Sequence, residues 1–152
     1  MIKFVTGDMF DSHADCLVNA VNCEGIMGKG LAHQFKVRFP ENNTDYRRAC
    51  KSGELKIGTI HFFKEKEVWI VNFPTKDHWR KKSQIDYIET GMEQLVKFIE
   101  EYQPSVIAIP PLGCGNGGLD WSTVKEIILE KLSLIEKKHT FLIYEPQNGD
   151  FK

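Results

Sequence analysis

The apolar positions of this chain fall into short runs that switch between two spacings. Residues 2–6 and 16–21 are compact β-rich stretches, the first followed by Gly7-Asp8 and the second ending at Asn22. Over 30–39 the spacing changes: Leu31, Phe35 and Phe39 recur every four residues, as on one face of a helix, and Pro40 stops the run. A second short helix is expected over 44–52, ended by Gly53. Residues 59–63 and 68–73 predict two strands joined by the charged turn 64–67. Ile85, Ile88, Met92, Leu95 and Ile99 mark one face of a long helix. The continuous apolar run 106–109 predicts a strand covered on both faces. Trp121, Val124, Ile128 and Leu132 give a last helix, and 141–144 a last strand. Strands alternating with helices predict an α/β chain, a three-layer α/β/α sandwich whose hairpin-like middle pair makes the central sheet mixed. With no internal repeat or linker, residues 1–152 read as one domain.

Composition narrows the function classes. A net charge of −1 provides no broad field for nucleic acid or an anionic membrane, so any nucleic-acid contact must be local. The four cysteines, Cys16, Cys23, Cys50 and Cys114, are scattered without metal-ligand spacing, which predicts reduced thiols in the cytoplasm and no metal or other cofactor. Residues 42–44 form a glycosylation sequon that has no meaning without secretion, and the N-terminus starts on a strand-like run with no signal peptide. No apolar stretch is long enough to span a bilayer. A monomer away from membranes is expected.

In open α/β sheets ligands bind beyond the carboxyl ends of the strands, and four such places here carry unusual residues. The strongest runs from Pro110 to Asp120, with Gly113, Gly115, Gly117 and Gly118 in six residues. So many glycines give up packing and cost backbone entropy, but they let N–H groups converge into an anion nest beside a helix N-terminus. The spacing also satisfies G-x-G-x-x-G, but a dinucleotide fingerprint normally opens its fold and needs an acid at the next strand end. A plain flexible connector is the competing reading. Gly25 to Leu31 is a second glycine loop leading into a helix; Gly30 stands where a Walker A motif needs Ser or Thr. Two such loops suit a diphosphate held from both sides, although Lys29 read alone is equally a solvated loop charge. Asp8, after the first strand, has the chemistry to accept from an exocyclic amine, or it caps a turn. The fourth place is 72–80, after the fourth strand. Lys76 there, beside apolar and aromatic neighbours, is a candidate nucleophile or acid/base group if partly desolvated, though most loop lysines are simply solvated. Trp79 and Arg80 have the means to cap a base or hold a phosphate, or they belong to an ordinary charged run with Lys81 and Lys82. Asn19 and Asn22, at the end of the second strand, are suited to sugar hydroxyls or to capping backbone.

Taken together, Gly7-Asp8-Met9-Phe10, the run 17–22, the run 27–32 and the run 112–121 resemble the macrodomain family in order and spacing across nearly the whole chain. Asn72-Phe73-Pro74-Thr75-Lys76 followed by His78-Trp79-Arg80 is similar specifically to the macrodomain of DarG antitoxins, which remove ADP-ribose from thymine bases of single-stranded DNA and reverse a DarT-type toxin. These belong with the human terminal ADP-ribose glycohydrolase, which acts on protein carboxylate esters. The resemblance implies ADP-ribose binding by Asp8 and Met9 at the adenine, with Tyr144 flanking it, and by Asn19, Val21 and Asn22 near the distal ribose. It implies that Gly28, Lys29, Gly30 and Leu31 enclose the diphosphate together with Gly113, Cys114, Gly115, Asn116, Gly117, Gly118 and Leu119, and that Thr75 lies beside the catalytic Lys76. The implied partners are ADP-ribose, ADP-ribosylated single-stranded DNA and a DarT-type toxin, with no metal or cofactor required. The implied rivals are hydrolysis of ADP-ribosyl-glutamate or O-acetyl-ADP-ribose, and a module that binds ADP-ribose without turnover. Two features depart from the pattern. The human enzyme pairs its lysine with a glycine-loop aspartate where this chain has Gly117; Asp120, three positions on, suits a helix N-cap, and a two-carboxylate glycosidase mechanism has no support. DarG antitoxins also usually carry a further C-terminal region, so a chain ending at Lys152 is either a macrodomain taken from a longer protein or a stand-alone relative.

Overall fold

The computed structural model describes residues 1–147. Among these residues six strands form one mixed sheet: β1 (Ile2–Val5), β2 (Cys16–Asn22), β3 (His61–Glu65), β4 (Val68–Lys76), β5 (Val106–Ile109) and β6 (Thr140–Tyr144), in spatial order β1-β6-β5-β2-β4-β3. Strand β3 runs antiparallel to its neighbour, through the hairpin with β4, and the other pairings are parallel. Four α-helices among the described residues cover the sheet: α1 (Gly30–Arg38), α2 (Pro40–Ser52), α3 (Ile85–Tyr102) and α4 (Trp121–Leu132). The three-layer arrangement expected from the hydrophobic pattern is the one adopted.

Alternation along the strands sorts side chains between two cores. Val18, Val71 and Phe73 face the layer of α3 and α4, with Met92, Leu95, Val124 and Ile128. Leu17, Val21 and Ile70 face the layer of α1 and α2, with Phe35, Tyr46 and Ala49. The four-residue β5 is buried on both faces, as its unbroken Val-Ile-Ala-Ile predicts.

Three boundaries depart from the pattern. The strand expected over 59–63 runs from His61 to Glu65, because Lys66 and Glu67, both at positive φ, make the tight two-residue hairpin turn by themselves and leave Lys64 and Glu65 paired in β3. Pro40 ends α1 but also opens α2 at its first turn, where the missing N–H costs nothing. Strand β4 continues three residues past Phe73, through Pro74, to Lys76. Its last residue paired with β3 is Asn72, opposite His61, so Pro74 lies where β4 is an edge, a position that tolerates proline. Lys76 is therefore the last residue of a strand and not part of a following loop.

A polar chain is buried between the sheet and α2. Asn19 Nδ2 donates to Asn72 Oδ1 at 3.2 Å, and Asn72 Nδ2 reaches Asn42 Oδ1 at 2.9 Å and His61 Nδ1 at 2.8 Å. His61 Nε2 meets Asp45 Oδ2 at 2.7 Å, and Arg48 joins Asp45 to Glu54 at the surface. Asn42 has no exposed area, so the sequon asparagine is structural.

Candidate functional site

The carboxyl ends of the parallel strands open into one cleft of about 840 Å³. Strands β2 and β4 deliver its floor: a register shift after Val21 places Asn22 opposite Lys76. Asn22 organises the loop that follows it. Its Oδ1 accepts from the N–H groups of Glu24 and Ile26, its Nδ2 donates to Ile26 O at 2.8 Å, and the Tyr46 hydroxyl donates to its carbonyl at 2.7 Å. That loop delivers Gly28, Lys29 and Gly30 into the cleft wall, where α1 begins without a side-chain cap on its first N–H groups. An uncapped helix N-terminus favours an anion.

The second wall is the glycine loop after β5. It folds back on itself through Cys114 N–H to Pro111 O at 3.1 Å, Gly118 N–H to Gly115 O at 3.1 Å and Leu119 N–H to Gly113 O at 2.9 Å. Gly113 has φ +74°, in the left-handed region. Gly117 is required by space: a Cβ there would lie 2.3 Å from Ser83 Oγ and 2.4 Å from Gly113 O. A loop carboxylate at position 117, as in the human terminal glycohydrolase, has no room in this arrangement. Asp120 does not replace it. Its carboxylate caps α4, accepting from Thr123 N–H at 3.2 Å and from the Ser122 hydroxyl, and these bonds hold it below the usual carboxylate range. The first turn of α4 is thus taken by Asp120 and is not the open anion site expected beside this loop.

Lys76 is half-buried between these walls, its Nζ 3.4 Å from Trp79 O. Burial lowers its pKa from the ordinary lysine value, and the charge of Lys29 across the cleft lowers it further. Lys29, Lys76 and Arg80 all line the cleft, and no carboxylate does among the described residues. The site is built for an anion. The reaction of Lys76 with an amine-acylating reagent, followed by mass spectrometry against pH, is expected to have its midpoint below that of a free lysine, near ~10.4. Lys29→Met removes the like charge and is expected to move that midpoint up; an unmoved midpoint contradicts the coupling.

The macro domain family model matches residues 18–128, which spans both glycine loops and Lys76. The chain is a macrodomain. It is 44% identical over 150 residues to a DNA ADP-ribosyl glycohydrolase of Thermus aquaticus, covering 96% of this chain and 41% of that protein. The solved macrodomain of Mycobacterium tuberculosis DarG matches with a TM-score of 0.94 at 42% identity, over 97% of this chain and 99% of that one. A Thermosipho africanus DarTG structure in complex with ADP-ribose matches with a TM-score of 0.89 at 36% identity, over 95% of this chain and 41% of that one. The macrodomain spans about two-fifths of the length of the curated relatives it matches.

The macrodomain brings most of the residues singled out in its sequence to this cleft: Val21, Asn22, Gly28, Lys29, Gly30 and Leu31 from one side, Thr75 and Lys76 from the floor, and Gly113, Gly115, Asn116 and Gly117 from the other. Gly118 and Leu119 complete the glycine loop outside the lining. Cys114 also lies outside the lining; its buried thiol donates to Leu112 O and is pushed up to about 12, chiefly by burial. Asn19 is 0% exposed and belongs to the polar chain under the sheet, outside the lining. Asp8 and Tyr144 lie together at the far end of the same sheet edge, since Val5 pairs with Tyr144. Asp8 accepts from Phe10 N–H at 2.9 Å, and Met9 is buried beneath. The Tyr144 hydroxyl is raised by burial and by the charges of Asp8 and Asp11, against a Ser12 hydrogen bond that lowers it. Tyr46 and Ser83 support the site without a sequence signal. Each meets the cleft only through tertiary packing, Tyr46 through Asn22 and Ser83 through its N–H to Gly117 O at 3.0 Å.

Proposed function

We propose that this macrodomain hydrolyses the bond between ADP-ribose and a thymine base in single-stranded DNA, with Lys76 as the catalytic residue. The observation that carries the reading is the order of groups along the sheet's carboxyl edge. Asp8 and Tyr144 come at the ends of β1 and β6, the glycine loop at β5, Asn22 and the Gly28–Leu31 loop at β2, and Lys76 at β4. A ligand laid along that edge has adenine at the first pair, its diphosphate between the two glycine loops and its distal ribose at Lys76. Binding energy at the diphosphate then positions the distal C1″ against the lysine.

Hydrolysis breaks the bond from C1″ to the base, leaves the water oxygen on C1″ and returns a proton to the base. Lys76 serves that exchange through its amine or its proton, and its depressed pKa makes both forms accessible nearer neutrality than in a free lysine. Among the described residues no carboxylate lines the cleft beside it, which gives no support to a pair of acids as the engine. The names of the Thermus aquaticus and Mycobacterium tuberculosis relatives, DNA ADP-ribosyl glycohydrolases, support the DNA substrate. A relative fused to a DNA ADP-ribosyl transferase, from Thermosipho africanus, supports a DarT-type transferase as the source of the modification. A panel of thymine-linked, glutamate-linked and O-acetyl ADP-ribose substrates tests the assignment: the thymine-linked strand is expected to be cleaved fastest.

A further inference from the structure

We infer that Trp79 and Arg80, with Lys81 and Lys82, form a strand-binding subsite at the cleft mouth that engages the DNA nucleotides flanking the modified thymidine. The inference rests on the DNA reading above and extends it from the ADP-ribose moiety to the strand.

The segment from Asp77 to Ser83 bridges the two walls of the cleft and is pinned at both ends. At one end Cys23 N–H donates to Asp77 O at 3.2 Å and His78 Nε2 meets Glu24 Oε1 at 2.8 Å. At the other, Ser83 N–H donates to Gly117 O at 3.0 Å. In between, Arg80 N–H donates to His78 Nδ1 at 3.0 Å, and the His78 ring stacks on Trp79 at 5.8 Å between centroids and 22° between planes. The segment is held in place, yet it leaves Trp79 41% exposed in the lining of the cleft, with the Arg80 guanidinium 4.5 Å from its ring centroid.

A fixed indole with a guanidinium over it, followed by two exposed lysines, is a stacking platform with a short cationic rail. The rail is local: the chain as a whole carries a net charge of −1, and the nearest acid on the segment's tether, Glu24, is occupied by His78. Asp77 is the acid that remains on the segment, at the end away from the lysines. Trp79 and Lys76 line the same cleft, and the Trp79 carbonyl accepts from Lys76 Nζ at 3.4 Å, which ties the segment to the group proposed to act on C1″. The base leaving C1″ remains part of a strand, and Trp79 is an exposed aromatic ring in that lining on which a flanking base can stack.

The test is equilibrium binding to the Lys76→Ala protein, in which the substrate survives. The ligands are a short ADP-ribosylated oligothymidylate, ADP-ribosyl-thymidine and ADP-ribose alone. The parent is expected to bind the oligonucleotide at least about tenfold more tightly than ADP-ribosyl-thymidine, and Trp79→Ala to collapse that ratio, with Trp79→Phe restoring most of it. Arg80→Ala, Lys81→Ala and Lys82→Ala are each expected to reduce the slope of log affinity on log salt by up to ~0.7 for the oligonucleotide. Absence of a strand-length advantage in the parent, or a ratio unchanged by Trp79→Ala, overturns the subsite. Failure of the Lys76-bearing protein to cleave, with the length advantage and its Trp79 dependence intact, sinks the hydrolase reading alone.

Discussion

Lys76→Ala is expected to lower the rate of ADP-ribose release by about a thousandfold while leaving ADP-ribose affinity within about threefold of the parent. The two quantities separate because the lysine and the phosphate-gripping loops do different work. In the proposed pose the glycine loops and the N-terminus of α1 grip the diphosphate, some way from C1″, whereas Lys76 meets the ligand only at the distal ribose. Removing its amine subtracts a group needed in the transition state from a site otherwise intact. It also relieves the repulsion with Lys29, so any loss of attraction for the ligand is partly offset. Rate measured under saturating substrate, beside a calorimetric titration with ADP-ribose, checks both halves. A variant that keeps its rate within tenfold places the chemistry elsewhere.

The second large effect is expected at the opposite wall and has the opposite signature. Gly117→Ala is expected to weaken ADP-ribose binding by about a hundredfold while leaving the protein folded. The new methyl group would lie 2.3 Å from Ser83 Oγ and 2.4 Å from the Gly113 carbonyl, and the carbonyl is backbone that cannot rotate aside. The loop has to open, which breaks its Leu119-to-Gly113 closure and disrupts the wall proposed to hold the diphosphate. The strain falls in the loop after β5, of which Leu112, Cys114 and Leu119 reach the core under α3 and α4 while the rest lines the cleft or faces solvent. Calorimetry with ADP-ribose and a thermal melt, run together, distinguish a lost loop from a lost fold; unchanged affinity would show that the loop does not grip the phosphates.

The sheet and helices were legible because their signals are local. An unbroken apolar run placed β5, and three- and four-residue apolar spacing placed α4, at their observed bounds, and both glycine loops stand out as runs that no core would choose. The cleft was legible because its residues sit at strand ends, where chain order alone predicts convergence. Properties set by packing across the chain were not legible. The β-rich run 68–73 leaves Lys76 beyond the strand, whereas the start of β3 at His61, which leaves the end of β4 as an edge, is a pairing fact. Asn19 looks like a ligand in sequence and is instead joined to Asn72, Asn42 and His61 beneath the sheet. The side chain of Cys114 turns inward while its neighbours face the cleft, a direction no spacing rule supplies. Gly117 was read as a missing carboxylate; the structure gives the reason, since Ser83, more than thirty positions away, fills the space a side chain would need.

Release from DNA is the most direct test of the proposed hydrolysis. Single-stranded oligonucleotide bearing ADP-ribose on one thymine is incubated with the protein, and both products are identified by mass. Stoichiometric free ADP-ribose and an unmodified strand are expected, formed by the parent and not by Lys76→Ala. A modified strand left intact by a protein that still binds ADP-ribose would contradict it, and would turn the reading to a different ADP-ribosyl bond or to binding without turnover.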